Sequence, residues 1–66
     1  MEITVNDQPR EVAQRTTIAD LLEQLNLAGK HVAVEVNLKL VPREHHAGHT
    51  LAHGDRLEIV TLVGGG

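Results

Sequence analysis

One segment of this chain has the spacing of an amphipathic α-helix, and this segment restricts the possible folds more than any other feature. Four aliphatic residues recur there at intervals of three and four, which places them on one helical face: Ile18, Leu21, Leu22 and Leu25. Thr17 is a suitable N-cap, and Asp20 stands where a capping box needs its acidic partner. Gly29 comes after Leu27, the last apolar position, and is predicted to form a left-handed C-terminal cap. The remaining residues must cover the apolar face of this helix.

Period-two alternation, which is typical of half-buried strands, occurs on both sides of the helical segment. The predicted strands cover residues 2–6, 10–13, 31–36, 40–41 and 56–62. Turn-forming residues separate them, notably Asn6-Asp7, Asn37 and Gly54-Asp55. Residues 43–53 lack strand periodicity and have room for one short helical turn.

This order of elements predicts an α+β fold with one main helix packed across a mixed sheet of four to five strands. Apolar strand residues are expected to face the helix: Val32, Val34, Val36, Leu57 and Ile59. The helical crossover allows the first strand to pair in parallel with the last. No linker or repeat divides the chain, so we predict one domain over residues 1–63 and a flexible glycine tail over 64–66.

The composition excludes several classes of function. Nine acidic residues against six basic ones give a net charge of −3, which argues against nucleic-acid binding. The chain has no aromatic residue for base stacking and no cysteine for a disulfide, a thiolate metal site or a nucleophile. A 66-residue chain leaves little room for a deep cleft, so we predict that it is not an enzyme. Neither a membrane span nor a signal peptide is present, so a cytoplasmic location is expected.

Four histidines crowd the segment before the last strand: His45, His46, His49 and His53. On a continuous helix, the spacing of His45, His49 and His53 would place three imidazoles on one face, an arrangement that can bind a divalent metal. Gly48 and Gly54 weaken such a helix, and no acidic residue or cysteine inside the cluster completes a ligand set. We therefore favour a solvated loop, and predict no metal site.

The last predicted strand has two different faces. Leu57 and Ile59 point to one side, so Val60 and Leu62 point to the other. Exposed, clustered aliphatic residues often mark an interaction surface, although packing beneath a loop is an equally good interpretation here. The charged residues Arg43, Arg56 and Glu58 near the turns are ordinarily a solvated surface, or else a rim that orients a partner.

Three glycines, Gly64, Gly65 and Gly66, close the sequence. A frayed terminus is the simpler interpretation. The alternative is that a segment without side chains threads a narrow channel in another protein, where bulkier residues would clash. A carboxylate delivered in this way can attack the α-phosphate of ATP, and the mixed anhydride that forms supplies the leaving group that a carboxylate lacks.

Several segments together resemble a known family, the small sulfur carriers of thiamine biosynthesis, which have the β-grasp (ubiquitin-like) fold. The resemblance covers essentially the whole chain, and the segments that carry it are residues 17–22, Val36-Asn37, 41–43, 54–60 and 63–66. It implies a carrier that binds no cofactor. An ATP-using adenylating enzyme activates the Gly66 carboxylate, a persulfide donor fed by a cysteine desulfurase converts it to a thiocarboxylate, and thiazole synthase receives the sulfur.

Within this resemblance, Gly64, Gly65 and Gly66 are expected to thread into partner active sites, with Gly66 the adenylated residue. We predict that Val60, Leu62, Glu58 and Arg43 dock the partner. Three alternatives stay open: a carrier for molybdopterin or another metabolite, a ubiquitin-like protein modifier, and a plain binding module. No nucleic acid or membrane is expected among the partners.

Overall fold

Within residues 1–62, a five-stranded mixed sheet carries a single α-helix on one face. A computed structural model of the chain describes residues 1–62. Its elements, in chain order, are β1 (Glu2–Val5), β2 (Gln8–Glu11), α1 (Ile18–Gln24), β3 (Val32–Val36), β4 (Lys39–Leu40), a 3₁₀ helix (Arg43–Gly48) and β5 (Arg56–Thr61). The predicted α+β fold, with a helix across a mixed sheet, is confirmed, and the expected helical turn after β4 is the 3₁₀ helix.

The strand order is β2-β1-β5-β3-β4, so the last strand lies at the centre of the sheet. Strand β5 pairs in parallel with β1, a pairing that the helical crossover allows, and it pairs antiparallel with β3. The two hairpins β1-β2 and β3-β4 form the two edges. Strand β5 therefore joins the two hairpins into one sheet.

The Asn6 side chain extends the short parallel pairing of β1 with β5. Its Oδ1 accepts a hydrogen bond from the Ile59 amide at 2.8 Å, and its Nδ2 donates to the Ile59 carbonyl at 3.1 Å. A side-chain amide thus replaces the backbone partner that β1 would offer if it were longer. This contact links the end of β1 to the second half of β5, whose other edge pairs with β3.

The first hairpin turns more tightly than the sequence analysis predicts. Asn6 and Asp7 have φ angles of 50° and 67°, the paired left-handed geometry of a two-residue turn that matches strand twist. Strand β2 therefore begins at Gln8, and the prediction of a strand over residues 10–13 is displaced by two positions. Pro9 is tolerated because β2 is an edge strand.

Helix α1 begins as predicted and ends earlier. The Thr17 hydroxyl accepts a hydrogen bond from the Asp20 amide, and the Asp20 carboxylate accepts one from the Thr17 amide, each at 3.1 Å. The prediction of Gly29 as the C-terminal cap is wrong, because Asn26 takes the left-handed position with φ 60°. The Asn26 and Leu27 amides donate to the Glu23 and Leu22 carbonyls, which is the Schellman arrangement.

The core lies between α1 and the inner face of the sheet. Its buried hydrophobic residues are all aliphatic: Ile3, Val12, Ile18, Leu21, Leu22, Val34, Val36, Leu51, Leu57 and Ile59. Val32 and Leu25, both predicted to be inward, are half-buried and pack against this cluster. The loop after the 3₁₀ helix is tied to the start of α1, since the Ile18 amide donates to the His49 carbonyl and the Leu51 amide to the Thr16 carbonyl.

Candidate functional site on the outer face of the sheet

The outer face of the sheet, opposite α1, has no helix over it among residues 1–62, and the exposed side chains of β5 line it. Leu57 and Ile59 are buried against the helix, whereas Glu58 and Val60 alternate with them and are exposed. Val60 is 55% exposed and Leu62 is 51% exposed. Of the two interpretations left open for Val60 and Leu62, exposure is the one observed within residues 1–62, and packing beneath a loop is not. Their role in binding a partner stays a prediction.

Neighbouring strands add residues to this face that the sequence analysis did not single out. Glu35 lies directly opposite Glu58 in the β3-β5 pairing, and Leu40 lies opposite Glu35 in the β3-β4 pairing. Directly opposed residues share a face of the sheet, so one row crosses it from Leu40 through Glu35 to Glu58. The position of Glu35 between Val34 and Val36 was a signal that it faces outward, but its partners depend on the register between strands.

The turn between β3 and β4 carries a second exposed leucine. Leu38 is 88% exposed and has a φ of 72°. It lines a hollow of about 270 Å³ together with Asn37, Arg56 and Glu58, so it borders the outer face. The Asn37 side chain anchors this turn, because its Oδ1 accepts from the Arg56 amide and its Nδ2 donates to the Asp55 carboxylate, each at 3.0 Å.

Arg43 is separated from the other residues predicted to dock a partner. It lies on the 3₁₀ helix, on the α1 side of the sheet, where it lines a hollow with Ala19, Glu23 and Gly29. The structure therefore brings Glu58, Val60 and Leu62 together along one strand and its continuation, but does not bring Arg43 to that surface.

The histidines do not form the three-imidazole face that a continuous helix would give. The 3₁₀ helix ends at Gly48, so His49 and His53 lie on later loop segments. His46 is buried and its Nε2 lies 2.9 Å from the Val41 carbonyl, while His53 Nδ1 accepts from the Glu2 amide at 3.1 Å. Within residues 1–62, no group of three or more His, Asp or Glu side chains is arranged to hold a metal ion.

The predicted reactive residue Gly66, the predicted threading residues Gly64 and Gly65, and the predicted domain boundary after Val63 all lie outside the described residues. Across residues 1–62, neither helix is long and apolar enough to cross a membrane.

Comparison with known proteins identifies the family. The model of the ThiS family matches residues 3–66, which is nearly the whole chain. The chain belongs to the ThiS family. The sulfur carrier protein ThiS of Escherichia coli is 36% identical over 66 residues, and the match covers all of both chains. The family resemblance found in the sequence is confirmed, as is its assignment to the sulfur carriers of thiamine biosynthesis.

Two further comparisons support the ThiS fold and its context. The crystal structure of a thiamine biosynthesis protein (ThiS) from Geobacter metallireducens superposes with a TM-score of 0.84 at 35% identity, covering all of both chains. The β-grasp fold is therefore confirmed. A thiazole synthase of Paramagnetospirillum magneticum is 38% identical over 66 residues, and the chain spans only 20% of that relative's length. A ThiS-like region thus occurs inside a larger protein of that name.

Proposed function

We propose that this member of the ThiS family carries sulfur as a thiocarboxylate on Gly66, for the thiazole ring of thiamine. The observation that carries the proposal is the full-length match to the sulfur carrier protein of Escherichia coli. The family match also extends through Gly66, so the residue proposed to react lies within the matched segment. The chain then works as a carrier whose partners supply the catalytic groups, and it binds no cofactor of its own.

The chemistry proposed at Gly66 has three steps. A carboxylate oxygen attacks the α-phosphate of ATP in an adenylating enzyme, and pyrophosphate leaves. The terminal sulfur of a persulfide then attacks the carbonyl carbon, and AMP leaves. A thiol cleaves the sulfur–sulfur bond of the resulting acyl disulfide, which releases the thiocarboxylate and a new disulfide. None of these steps requires a nucleophilic side chain in the carrier, which agrees with its lack of cysteine.

Thiazole synthase is the proposed acceptor of the sulfur. Support comes from two relatives named thiazole synthase, one of Paramagnetospirillum magneticum and one of Magnetococcus marinus, which each contain a region like this chain. A carrier region and an acceptor joined in one polypeptide are expected to act together. The adenylating enzyme, and a persulfide donor fed by a cysteine desulfurase, complete the proposed set of partners, and all are expected in the cytoplasm.

Val60 and Leu62 are the proposed anchors for the adenylating enzyme. They are half exposed, they lie on or beside the central strand, and they precede the glycines by only a few residues. An enzyme that grips this part of the sheet also positions the following segment, and aliphatic side chains that become buried on docking contribute strongly to affinity.

Mass spectrometry of the intact chain tests the proposal. After incubation with ATP, an adenylating enzyme and a persulfide donor, we expect a mass gain equal to the exchange of one oxygen for one sulfur. The matched control is the chain without Gly65 and Gly66, which should keep its melting temperature and gain no sulfur. Adducts on lysine side chains would instead favour a protein modifier. Transfer of the sulfur to thiazole synthase separates this client from a molybdopterin client.

A further inference from the structure

The outer face of the sheet places two carboxylates directly against each other. Glu35 on β3 and Glu58 on β5 are opposed in the register, and the Cβ atoms of such pairs are about 4.5–5.5 Å apart. Like charges at this position destabilise a sheet. Within residues 1–62 neither carboxylate takes part in an ion pair, and Arg56, two residues before Glu58 on β5, directs its guanidinium to Asp7 at 3.4 Å. The pair therefore offers a site for a positive charge from outside the described part of the chain.

Exposed aliphatic side chains surround this pair. Leu40 is 65% exposed and lies beside Glu35, while Val60 follows Glu58 on the same face of β5. Leu38, in the turn between β3 and β4, lines the same hollow as Glu58, and it is almost fully exposed and in a left-handed backbone conformation. Exposure of a leucine is unfavourable because its side chain is hydrophobic. The left-handed conformation is also unfavourable for leucine, because only glycine, asparagine and aspartate adopt it readily. Strain of this kind in an exposed turn points to a role in binding.

We propose that these five residues form a docking surface for an arginine of the adenylating enzyme: Leu38, Leu40, Val60, Glu35 and Glu58. The guanidinium lies between the two carboxylates, and the apolar residues of the partner cover the three aliphatic side chains. Arginine fits better than lysine because its planar fork donates to two carboxylates at once and is more weakly hydrated. The inference rests on the proposed function, since that function requires such an enzyme.

The negative charge of Glu35 and Glu58 argues against other possible partners for this surface. In a symmetric contact between two copies, the same patch meets itself, so the two acidic pairs would face each other without a cation between them. Nucleic acids and anionic lipids would be repelled by the same carboxylates. A protein surface with a cation among apolar residues is the complement that remains.

Binding of the purified adenylating enzyme, measured by titration calorimetry at low and high salt, tests the proposal. In the variant Glu35→Gln/Glu58→Gln we expect roughly tenfold weaker binding and a smaller salt dependence, because the charge-assisted contact is lost. The melting temperature of this variant should rise, since the repulsion between the carboxylates is removed. Weaker binding together with a more stable fold is a combination that a purely structural role does not produce.

The matched control is Glu23→Gln/Glu44→Gln, which changes the net charge equally at exposed residues of α1 and the 3₁₀ helix. It should bind like the parent. A second variant, Leu38→Asn, keeps the left-handed turn and removes the aliphatic side chain, and it should weaken binding severalfold while keeping the fold. The proposal is overturned if Glu35→Gln/Glu58→Gln binds the adenylating enzyme as tightly as the parent does, or if the control loses as much affinity. It is also overturned if light scattering shows that the parent is a dimer and that Glu35→Gln/Glu58→Gln alters this dimer.

The same samples separate this inference from the proposed function. At saturating carrier concentration, Glu35→Gln/Glu58→Gln should still gain sulfur, because Gly66 is intact. Normal sulfur loading with unchanged affinity would refute the docking surface and leave the carrier function standing. Charge-dependent binding without any sulfur gain in the parent would refute the carrier function instead. If the parent shows neither charge-dependent binding nor a sulfur gain, the docking surface and the carrier function are both refuted.

Discussion

The hydrogen bonds between the Asn6 side chain and Ile59 should account for a measurable part of the free energy of unfolding. Both bonds are partly buried, with lengths of 2.8 and 3.1 Å. Each such bond contributes about 1 kcal/mol, so Asn6→Gly should lower the free energy of unfolding by about 2 kcal/mol. Glycine is the right substitution because the φ of 50° at this position would strain alanine.

Asn26→Gly is the matched control for this experiment. Asn26 has nearly the same backbone conformation, with φ 60°, and within residues 1–62 its side chain makes no hydrogen bond. Both substitutions give the unfolded chain the same added freedom, so that contribution cancels in the comparison. The difference between the two variants should therefore be about 2 kcal/mol, and it should come from the two hydrogen bonds alone.

Urea unfolding followed by far-ultraviolet circular dichroism is the suitable assay, because the chain has no Phe, Tyr or Trp to report by fluorescence. The midpoint should fall while the slope with denaturant stays constant. In a domain of this size, a loss of about 2 kcal/mol corresponds to a drop of about 8–16 °C in melting temperature. Equal stability of Asn6→Gly and Asn26→Gly would refute the reasoning, since water would then satisfy the Ile59 backbone as well as the amide does.

Four further substitutions test the core, the helix start and the docking surface. Leu21→Ala and Ile59→Ala should each lower the free energy of unfolding by about 2–5 kcal/mol, and parent-like stability of either in urea would contradict the described core. Thr17→Ala removes the hydroxyl of the capping box and should cost about 1 kcal/mol, with Thr17→Ser restoring most of it in thermal melts. Val60→Asp should weaken binding to the adenylating enzyme much more than it lowers the melting temperature. Calorimetry and melts on the same sample decide this, and a loss of binding that merely follows unfolding would return Val60 to a structural role.

Features that depend on neighbouring residues alone could be predicted from the sequence. The capping box between Thr17 and Asp20 is formed as predicted, because its two hydrogen bonds need only three residues of spacing. The burial of Leu57 and the exposure of Val60 follow from the alternation of side chains along one strand. The parallel pairing of the first and last strands is not of this kind: the helical crossover allows it, but the alternation within each strand does not determine the strand order.

The end of α1 is predicted wrongly because two residues, Asn26 and Gly29, can each take the left-handed position that ends a helix. Both Asn26 and Gly29 adopt positive φ angles, so either could have ended the helix. Ending it at Asn26 lets Leu27 turn back and pack against the core, an advantage that appears only in three dimensions. The displacement of β2 has a local cause, because a turn with two consecutive left-handed residues lets pairing resume at once, at Gln8.

The candidate site could be predicted only in part for a related reason. Val60, Leu62 and Glu58 belong to one strand and its continuation, so a single alternation places them on one face. The opposition of Glu35 to Glu58 depends on the register between β3 and β5, which no short stretch of sequence determines. The charge of Arg43 alone predicts a place beside them, but the 3₁₀ helix carries Arg43 on the α1 side of the sheet.

The central position of β5 has a consequence for synthesis of the chain on the ribosome. Before residues 56–61 have been made, the nascent chain holds two hairpins at opposite edges of an absent strand, and the sheet has no pairing that joins them. Isolated hairpins are barely stable in water, so they cannot hold the sheet part-formed during translation. We therefore expect a prematurely terminated product without β5 to remain unfolded and open to proteases. Because folding requires β5, we expect only chains that have been translated almost to the glycines to fold.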